Sequence, residues 1–190
     1  IRKTIFPKRK ANFMIKVEKT KLEGVLIIKP KVFEDFRGSY TMTYNKKEYE
    51  DAFAKQGVDN LEFVEDDISV SNKNVLRGIH GDVNTAKLIS CLEGKFYLVV
   101  VNNIPSHHQY GQWISFSLSE SNRWQVYVPE GFGNAHLVMS NRAMFSYKQT
   151  SYYNPDGQFT LLWNDSKLNI WWPISDPIIS QRDQIGSFVD

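Results

Sequence analysis

KLISCLEGKFYLVVV, residues 87–101, is the stretch on which the fold turns. Lys87 to Leu92 is a short apolar run, Glu93-Gly94 is a turn dipeptide, and Phe96 to Val101 is a second run rich in β-branched residues. Neither run is long enough for a helix, and a Glu-Gly separator between apolar flanks is a hairpin signal. Two neighbouring antiparallel strands are therefore expected here.

Toward the C-terminus the same pattern repeats. Trp113 to Leu118 alternates large apolar with small polar residues, Trp124 to Val128 and His136 to Met139 read as strands, and Met144 to Gln149 follows a Ser140-Asn141-Arg142 turn. Asn154-Pro155-Asp156-Gly157 is the clearest turn in the chain. Toward the N-terminus, Val25 to Ile28 reads as a strand closed by Pro30. One helix is expected over Lys46 to Gln56, capped by Asn45, with Glu48 three residues on, Tyr44 and Tyr49 as a hydrophobic staple, and Gly57 as the stop. Many short strands with one early helix make an all-β protein, a double-stranded β-helix of the cupin or jelly-roll barrel type, whose interior holds a small ligand. Strand counting leaves a flat immunoglobulin-like sandwich open as the alternative.

At 190 residues the chain suits one domain with a real core. Cys91 is the only cysteine, so no intrachain disulfide forms and nothing points to an oxidising compartment. No apolar run reaches the ~20 residues of a membrane helix and no signal peptide is recognisable, so a cytoplasmic protein without membrane contact is expected. Arg2, Lys3, Lys8, Arg9 and Lys10 all precede Met14 in a stretch without acids; the net charge of +2 belongs to that arm, and the remainder is mildly acidic. Nucleic acid is therefore not an expected partner. Residues 1–13 read as a disordered or vector-derived arm, with Met14 as the natural start, ahead of a single domain over residues 14–190.

The chemistry-bearing residues are few. His107 and His108 follow Pro105-Ser106 in a surface loop and receive no role. Metal-binding cupins present several His and a Glu to one cavity; His80 and His136 exist, but the His-x-His pair is missing, and no metal is expected. Gly131 to His136 lacks the third glycine and the following helix of a phosphate loop, and reads as a bend between strands. Cys91, inside an apolar strand, is expected to be inert. Asn74-Val75-Leu76-Arg77-Gly78-Ile79-His80 brings an arginine and a histidine around a glycine. Taken alone, that histidine reads as structural. Lys87, Tyr147 and Asp183 change the reading, because a barrel crossed by an extended tail from Trp171 to Asp183, carrying Pro173 and Pro177, brings such groups together.

From about Val17 to Asp183 the sequence resembles the 4-dehydrorhamnose 3,5-epimerase family of nucleotide-sugar enzymes. The resemblance is carried by Phe33-Glu34-Asp35-Phe36-Arg37-Gly38, Asn74 to His80, Ala86-Lys87-Leu88, Val128-Pro129-Glu130-Gly131-Phe132, Tyr147-Lys148, Trp163-Asn164-Asp165 and Ile179-Ser180-Gln181-Arg182-Asp183, in that order. It implies a cupin barrel and a homodimer in which strands of one subunit help complete the other's site. It also implies roles: His80 as general base, Asp183 as its carboxylate partner, Tyr147 as the acid on the opposite sugar face, Lys87 as the cation at the ketone oxygen, and Arg37 and Arg77 near the sugar and diphosphate, with Arg182 as a further substrate-binding residue.

The implied reaction is cofactor-independent epimerisation at C3, C5 or both of a 4-keto sugar. A hydrogen beside a ketone is removable only when the carbanion charge moves onto oxygen, so the site needs a base and a stabilised oxyanion. Imidazole supplies the first and a preorganised cation the second, a contribution of ~3–4 kcal/mol in a dry cavity. Inversion then needs a proton from the other face, which a phenol with a free pKa of ~10 can deliver. A cupin ketoisomerase and a barrel that binds a sugar nucleotide without chemistry are the alternatives.

Several positions depart from the rhamnose-pathway pattern. Asn134 stands where a histidine is usual, with His136 two residues on; Gly81-Asp82 follows His80 in place of an aromatic and a glutamine; Met42 replaces a glutamate; Glu65 and Asp67 replace neutral amides. Carboxylates suit the paired N–H donors of guanine better than the single donor of thymine. Glu65, Asp67, Asn134 and His136 are accordingly expected to bind substrate, and the Arg-Gly-Ile-His-Gly-Asp and Phe-Gly-Asn-x-His segments resemble bacterial GDP-4-keto-heptose epimerases of capsule biosynthesis. A GDP-linked sugar is expected over a dTDP-linked one.

Overall fold

A computed structural model describes residues 14–187 and 189. In chain order the strands are β1 (Ile15–Lys19), β2 (Leu26–Pro30), β3 (Val32–Asp35), β4 (Gly38–Thr41), β5 (Glu65–Asn72), β6 (Leu76–Asp82), β7 (Lys87–Glu93), β8 (Lys95–Asn102), β9 (Trp113–Ser119), β10 (Gln125–Val128), β11 (Phe132–Val138), β12 (Arg142–Gln149) and β13 (Gln158–Thr160). Helix α1 (Lys46–Ala54) precedes β5, and the one-turn helix α2 (Gln181–Gln184) lies near the end. The expected arm, residues 1–13, lies outside the described residues. Among the described residues no helix is long and apolar enough to cross a membrane.

The strands form a six-stranded antiparallel sheet, β1-β2-β10-β7-β12-β5, facing a five-stranded one, β13-β6-β11-β8-β9, with β3 and β4 as a separate hairpin. From β5 to β8 and again from β9 to β13 the chain alternates between the two sheets, which is a jelly roll and not a flat sandwich. The Glu93-Gly94 corner follows this rule. β7 pairs with β10 and β12, and β8 pairs with β11 and β9, so the expected β7–β8 hairpin does not form. A turn between two apolar runs carries the same local signal whether the second strand folds beside the first or crosses to face it. The partners offered by β9 to β12 made the choice.

That crossing explains the uninterrupted apolar text. Phe96, Leu98 and Val100 point between the sheets against Ile89, Cys91, Val126 and Phe145, while Val99 and Val101 point outward onto Ile79, Leu161 and Leu168. Both faces of β8 are buried, so no alternation is needed. A third cluster lies outside the six-stranded sheet, where Tyr49, Ala52 and Phe53 of α1 cover Ile15, Leu26, Ile28 and Leu88. Asn45 caps this helix, accepting from the Glu48 N–H at 3.1 Å, and the Tyr44 and Tyr49 rings meet at 5.0 Å. Glu48 does not reach back to the cap; it accepts from the Ile15 N–H at 3.2 Å and ties the helix to β1. Met42 packs in this same cluster.

Two further expectations change. β11 begins at Phe132, so Gly133 to Ala135 belong to a strand and only Gly131 turns. The tail does run extended over the barrel, bridging Val75 through Ile178, but it ends in α2, whose N-cap is Ser180. That single turn is too short to leave a periodic signal.

Candidate active site

A cavity of about 390 Å³ opens at one end of the barrel, lined by Glu65, Asp67, His80, Lys87, Tyr147, Gln149, Tyr153, Gln158 and Arg182. Its six-stranded wall is a cross-strand grid. Glu65, Gln149 and Lys87 stand opposite one another on β5, β12 and β7, and the next row inward is Asp67, Tyr147 and Ile89. Facing it, β6 delivers His80. Gly78 makes this delivery possible: a Cβ there would come within 2.5 Å of the Asn134 carbonyl, and its φ is +116°, so no side chain fits at position 78, where β6 closely approaches β11.

His80 Nε2 lies 2.5 Å from Asp183 Oδ1. Asp183 is 1% exposed. Burial raises its carboxyl pKa, but the contacts from His80 and Ser180 outweigh this and hold it below the usual carboxylate range. Ser180 donates its hydroxyl to Asp183 Oδ2 at 2.9 Å, so the cap that starts α2 also fixes the carboxylate. An ionised Asp183 can only accept; Nε2 of a neutral His80 therefore carries its proton, and Nδ1 is the atom able to take one. This is an oriented general base.

Lys87 Nζ sits 5.8 Å from the centre of the Tyr147 ring. Burial lowers the Lys87 pKa, Asp82 opposes that shift and Arg182 adds to it. Tyr147 moves the other way: burial, then the charges of Asp67 and Glu65, raise its phenol, which keeps the proton in place until a stronger base appears. Gln149 Nε2 donates to Glu65 at 2.7 Å and to Asp67 at 3.1 Å, so the two carboxylates are held beside the acid. Burial and the Glu65 charge raise the Asp67 pKa.

Of the residues expected at the site, His80, Lys87, Tyr147, Arg182, Glu65 and Asp67 line this cavity and Asp183 stands directly behind His80. Four others are placed elsewhere. Arg77 is exposed and donates Nε to Ser71 at 2.9 Å. Arg37, in the β3–β4 turn, forks onto Asp35 at 2.5 Å and is not among the lining residues. Asn134 and His136 are buried in the wall behind His80; the His136 ring stacks on Phe145 at 4.1 Å, and burial, with the Arg77 and His80 charges, pushes its pKa down to about 3. Asn134 and His136 share one face of β11, as their spacing predicts, but that face is filled by the core at their depth. Gln149, Tyr153 and Gln158 were missed. Gln149, two residues past Tyr147, was legible from strand alternation; Tyr153 and Gln158 arrive from a turn and an edge strand with no such signal.

Other groupings do less. Glu23, His107 and His108 could hold a metal on the surface, but His107 Nδ1 accepts the Gln109 N–H at 3.1 Å, which leaves the proton on Nε2, 4.0 Å from Glu23. A second hollow between Trp163 and Ser175 has one carboxylate, Asp165, both oxygens of which accept backbone N–H groups, from Lys167 and Val189. Cys91 is buried and its thiol is pushed up to about 12 by burial, as expected of an inert core residue.

The profile described as dTDP-4-dehydrorhamnose 3,5-epimerase matches residues 19–190. The chain belongs to this family. It is a nucleotide-sugar 3,5-epimerase, an isomerase. The enzyme named dTDP-4-dehydrorhamnose 3,5-epimerase of Salmonella typhimurium is 38% identical over 181 residues, covering 93% of this chain and 97% of that protein. The solved epimerase of Elizabethkingia anophelis superposes with a TM-score of 0.84 at 38% identity, over 92% of this chain and 96% of that one. The Legionella pneumophila epimerase, solved with dTDP-4-keto-L-rhamnose, gives 0.85 at 32% identity, over 92% and 93%. The two solved relatives share this jelly-roll fold. Their names specify dTDP-linked sugars, and the expected nearness to GDP-heptose enzymes of capsule biosynthesis finds no support among them.

Proposed function

We propose that the protein inverts C3 and C5 of a dTDP-linked 4-keto-6-deoxyhexose, with His80 as base, Tyr147 as acid and Lys87 as the enolate's counter-charge. One observation carries this reading: the His80–Asp183 pair, Lys87 and Tyr147 border a single cavity, with the base on one sheet and the acid on the other. His80 Nδ1 takes the proton from a carbon beside the ketone, Asp183 stabilises the imidazolium, and Lys87 faces the oxygen on which charge collects. Tyr147 then returns a proton from the opposite face. The substrate already carries its ketone, so the step exchanges protons and no electrons.

The second reading keeps the chemistry and changes the substrate to a GDP-linked 4-keto-heptose. Glu65 and Asp67 favour it, though not through guanine: beside Tyr147 they face the sugar, where carboxylates accept from hydroxyl groups of a longer C5 side chain. Arg37 enters either reading through a homodimer in which the exposed β3–β4 hairpin reaches the partner's cavity; Phe36 at its tip is 91% exposed. Incubation with dTDP-4-keto-6-deoxyglucose in heavy water is expected to place deuterium at C3 and C5. A GDP-4-keto-heptose assayed beside it, with GDP and dTDP titrated by calorimetry, decides between the readings. No exchange into either sugar would leave a binding barrel, and a ketone moved to C3 would establish a ketoisomerase.

A further inference from the structure

We propose that Gln149 is a positioning residue of this site, a role that rests on the epimerase reading above: its side-chain amide fixes Glu65 and Asp67 together as a paired carboxylate acceptor for hydroxyl groups of the sugar. Gln149 ends β12, with Glu65 of β5 opposite it on one side and Lys87 of β7 on the other. It is 6% exposed, and Nε2 donates to Glu65 Oε1 at 2.7 Å and to Asp67 Oδ2 at 3.1 Å. The amide nitrogen has two hydrogens, and each carboxylate takes one. Glu65 is held a second time, because Oε2 accepts the Tyr153 N–H at 3.2 Å.

The placement serves the cavity. Glu65, Asp67, Gln149 and Tyr153 border the same space as His80, Lys87 and Tyr147, and Asp67 stands directly across from Tyr147 on the neighbouring strand. Two carboxylates brought against one nitrogen repel each other, and proteins commonly relieve such repulsion with a cation. Burial and the Glu65 charge raise the Asp67 carboxyl, the direction expected for acids held this close. Lys87 flanks Gln149 on β7, yet among the described residues it makes no ion pair with either acid. A neutral amide does the holding instead. The negative charge on this wall is therefore not cancelled, and Lys87 is left for the ketone oxygen. A carboxylate has about four acceptor sites, more than Gln149 and Tyr153 use. On a sugar the matching donors are hydroxyl groups, and a diphosphate is repelled from the same wall.

The hold on the two acids is read without substrate. In ¹⁵N-labelled protein the Gln149 side-chain amide, assigned by its loss in Gln149→Leu, is expected to give two separate proton signals, one displaced by Glu65→Gln and the other by Asp67→Asn. Signals that ignore both substitutions overturn the proposal. The bearing on substrate is read with whichever of dTDP-4-keto-6-deoxyglucose and a GDP-4-keto-heptose the wild type turns over. Gln149→Leu and Gln149→Met are each expected to raise KM about tenfold while kcat stays within about threefold, because the hydroxyl contacts do not change in the reaction. In a Glu65→Gln, Asp67→Asn background the same substitutions should move KM by less than about twofold, since no charged pair is left to hold. An equal rise in both backgrounds, or an unmoved KM in folded Gln149 variants, overturns the proposal. So does failure of both Gln149 variants to fold while the Glu65→Gln, Asp67→Asn protein folds, because Gln149 would then serve the fold alone. Turnover of neither sugar by wild type would sink the epimerase reading separately; the amide signals still report the hold, and the same comparison is then made on the Kd of each nucleotide sugar by calorimetry.

Discussion

The Asn74–His80 segment and the β3–β4 hairpin both carry motifs that resemble the epimerase family, yet only the first is built into a cavity within one chain. His80 gains its partner from a residue 103 positions away, and that partner is fixed in turn by a helix cap. Arg37 gains its ion pair from Asp35, two residues back, on a hairpin that pairs with neither large sheet. A side chain held by distant segments is committed to its place by the whole fold. Arg37, bonded to its own turn, stays exposed at the surface.

Substitutions on either side of this contrast should differ in kind. The largest effect belongs to His80→Asn, expected to abolish deuterium exchange and turnover together in a protein that still folds; exchange that persists would remove the base from His80. Tyr147→Phe comes next. It keeps the ring, so exchange should survive while inversion slows by ~10²–10⁴-fold. Equal loss of both activities in the two variants would break the assignment of separate faces.

Acid stability probes the same committed region. The Asp183 carboxyl is held below its ordinary range by His80 and Ser180, against burial, so it contributes stability above the free carboxyl pKa of ~3.9 that is lost as pH falls through the folded value. Melting temperatures of wild type should therefore drop more steeply below about pH 4 than those of Asp183→Asn. Matching slopes would show that the pair does not titrate with folding. The smallest effect is expected on the hairpin side: Arg37→Ala should leave the melting temperature unchanged, since an exposed ion pair is screened by solvent, and raise KM about tenfold. Mixing Arg37→Ala with His80→Asn should restore activity in mixed dimers, where one cavity carries an intact His80 and receives an intact hairpin. No recovery would confine Arg37 to its own chain.

Much of this protein is decided by local text. Short apolar runs with turn dipeptides specify strands, and Asn45 and the two tyrosines specify α1, while strand counting by itself leaves barrel and flat sandwich open. The resemblance named His80, Lys87, Tyr147 and Asp183 before any geometry, because a base, a cation and an acid leave recognisable motifs. What no local signal carries is which strands become neighbours. Glu93-Gly94 reads as a hairpin and is a crossing between sheets, since the competing partners of β7 and β8 come from as far as β12. Depth is equally non-local. Asn134 and His136 share the face of a functional strand, yet only the packing of Phe145 and Phe96 against His136 puts them inside the wall. Asp82 makes the same point from the other side: its charge is written in the sequence, but its burial against Gln158 exists only because β13, 76 residues further on, closes over the end of β6.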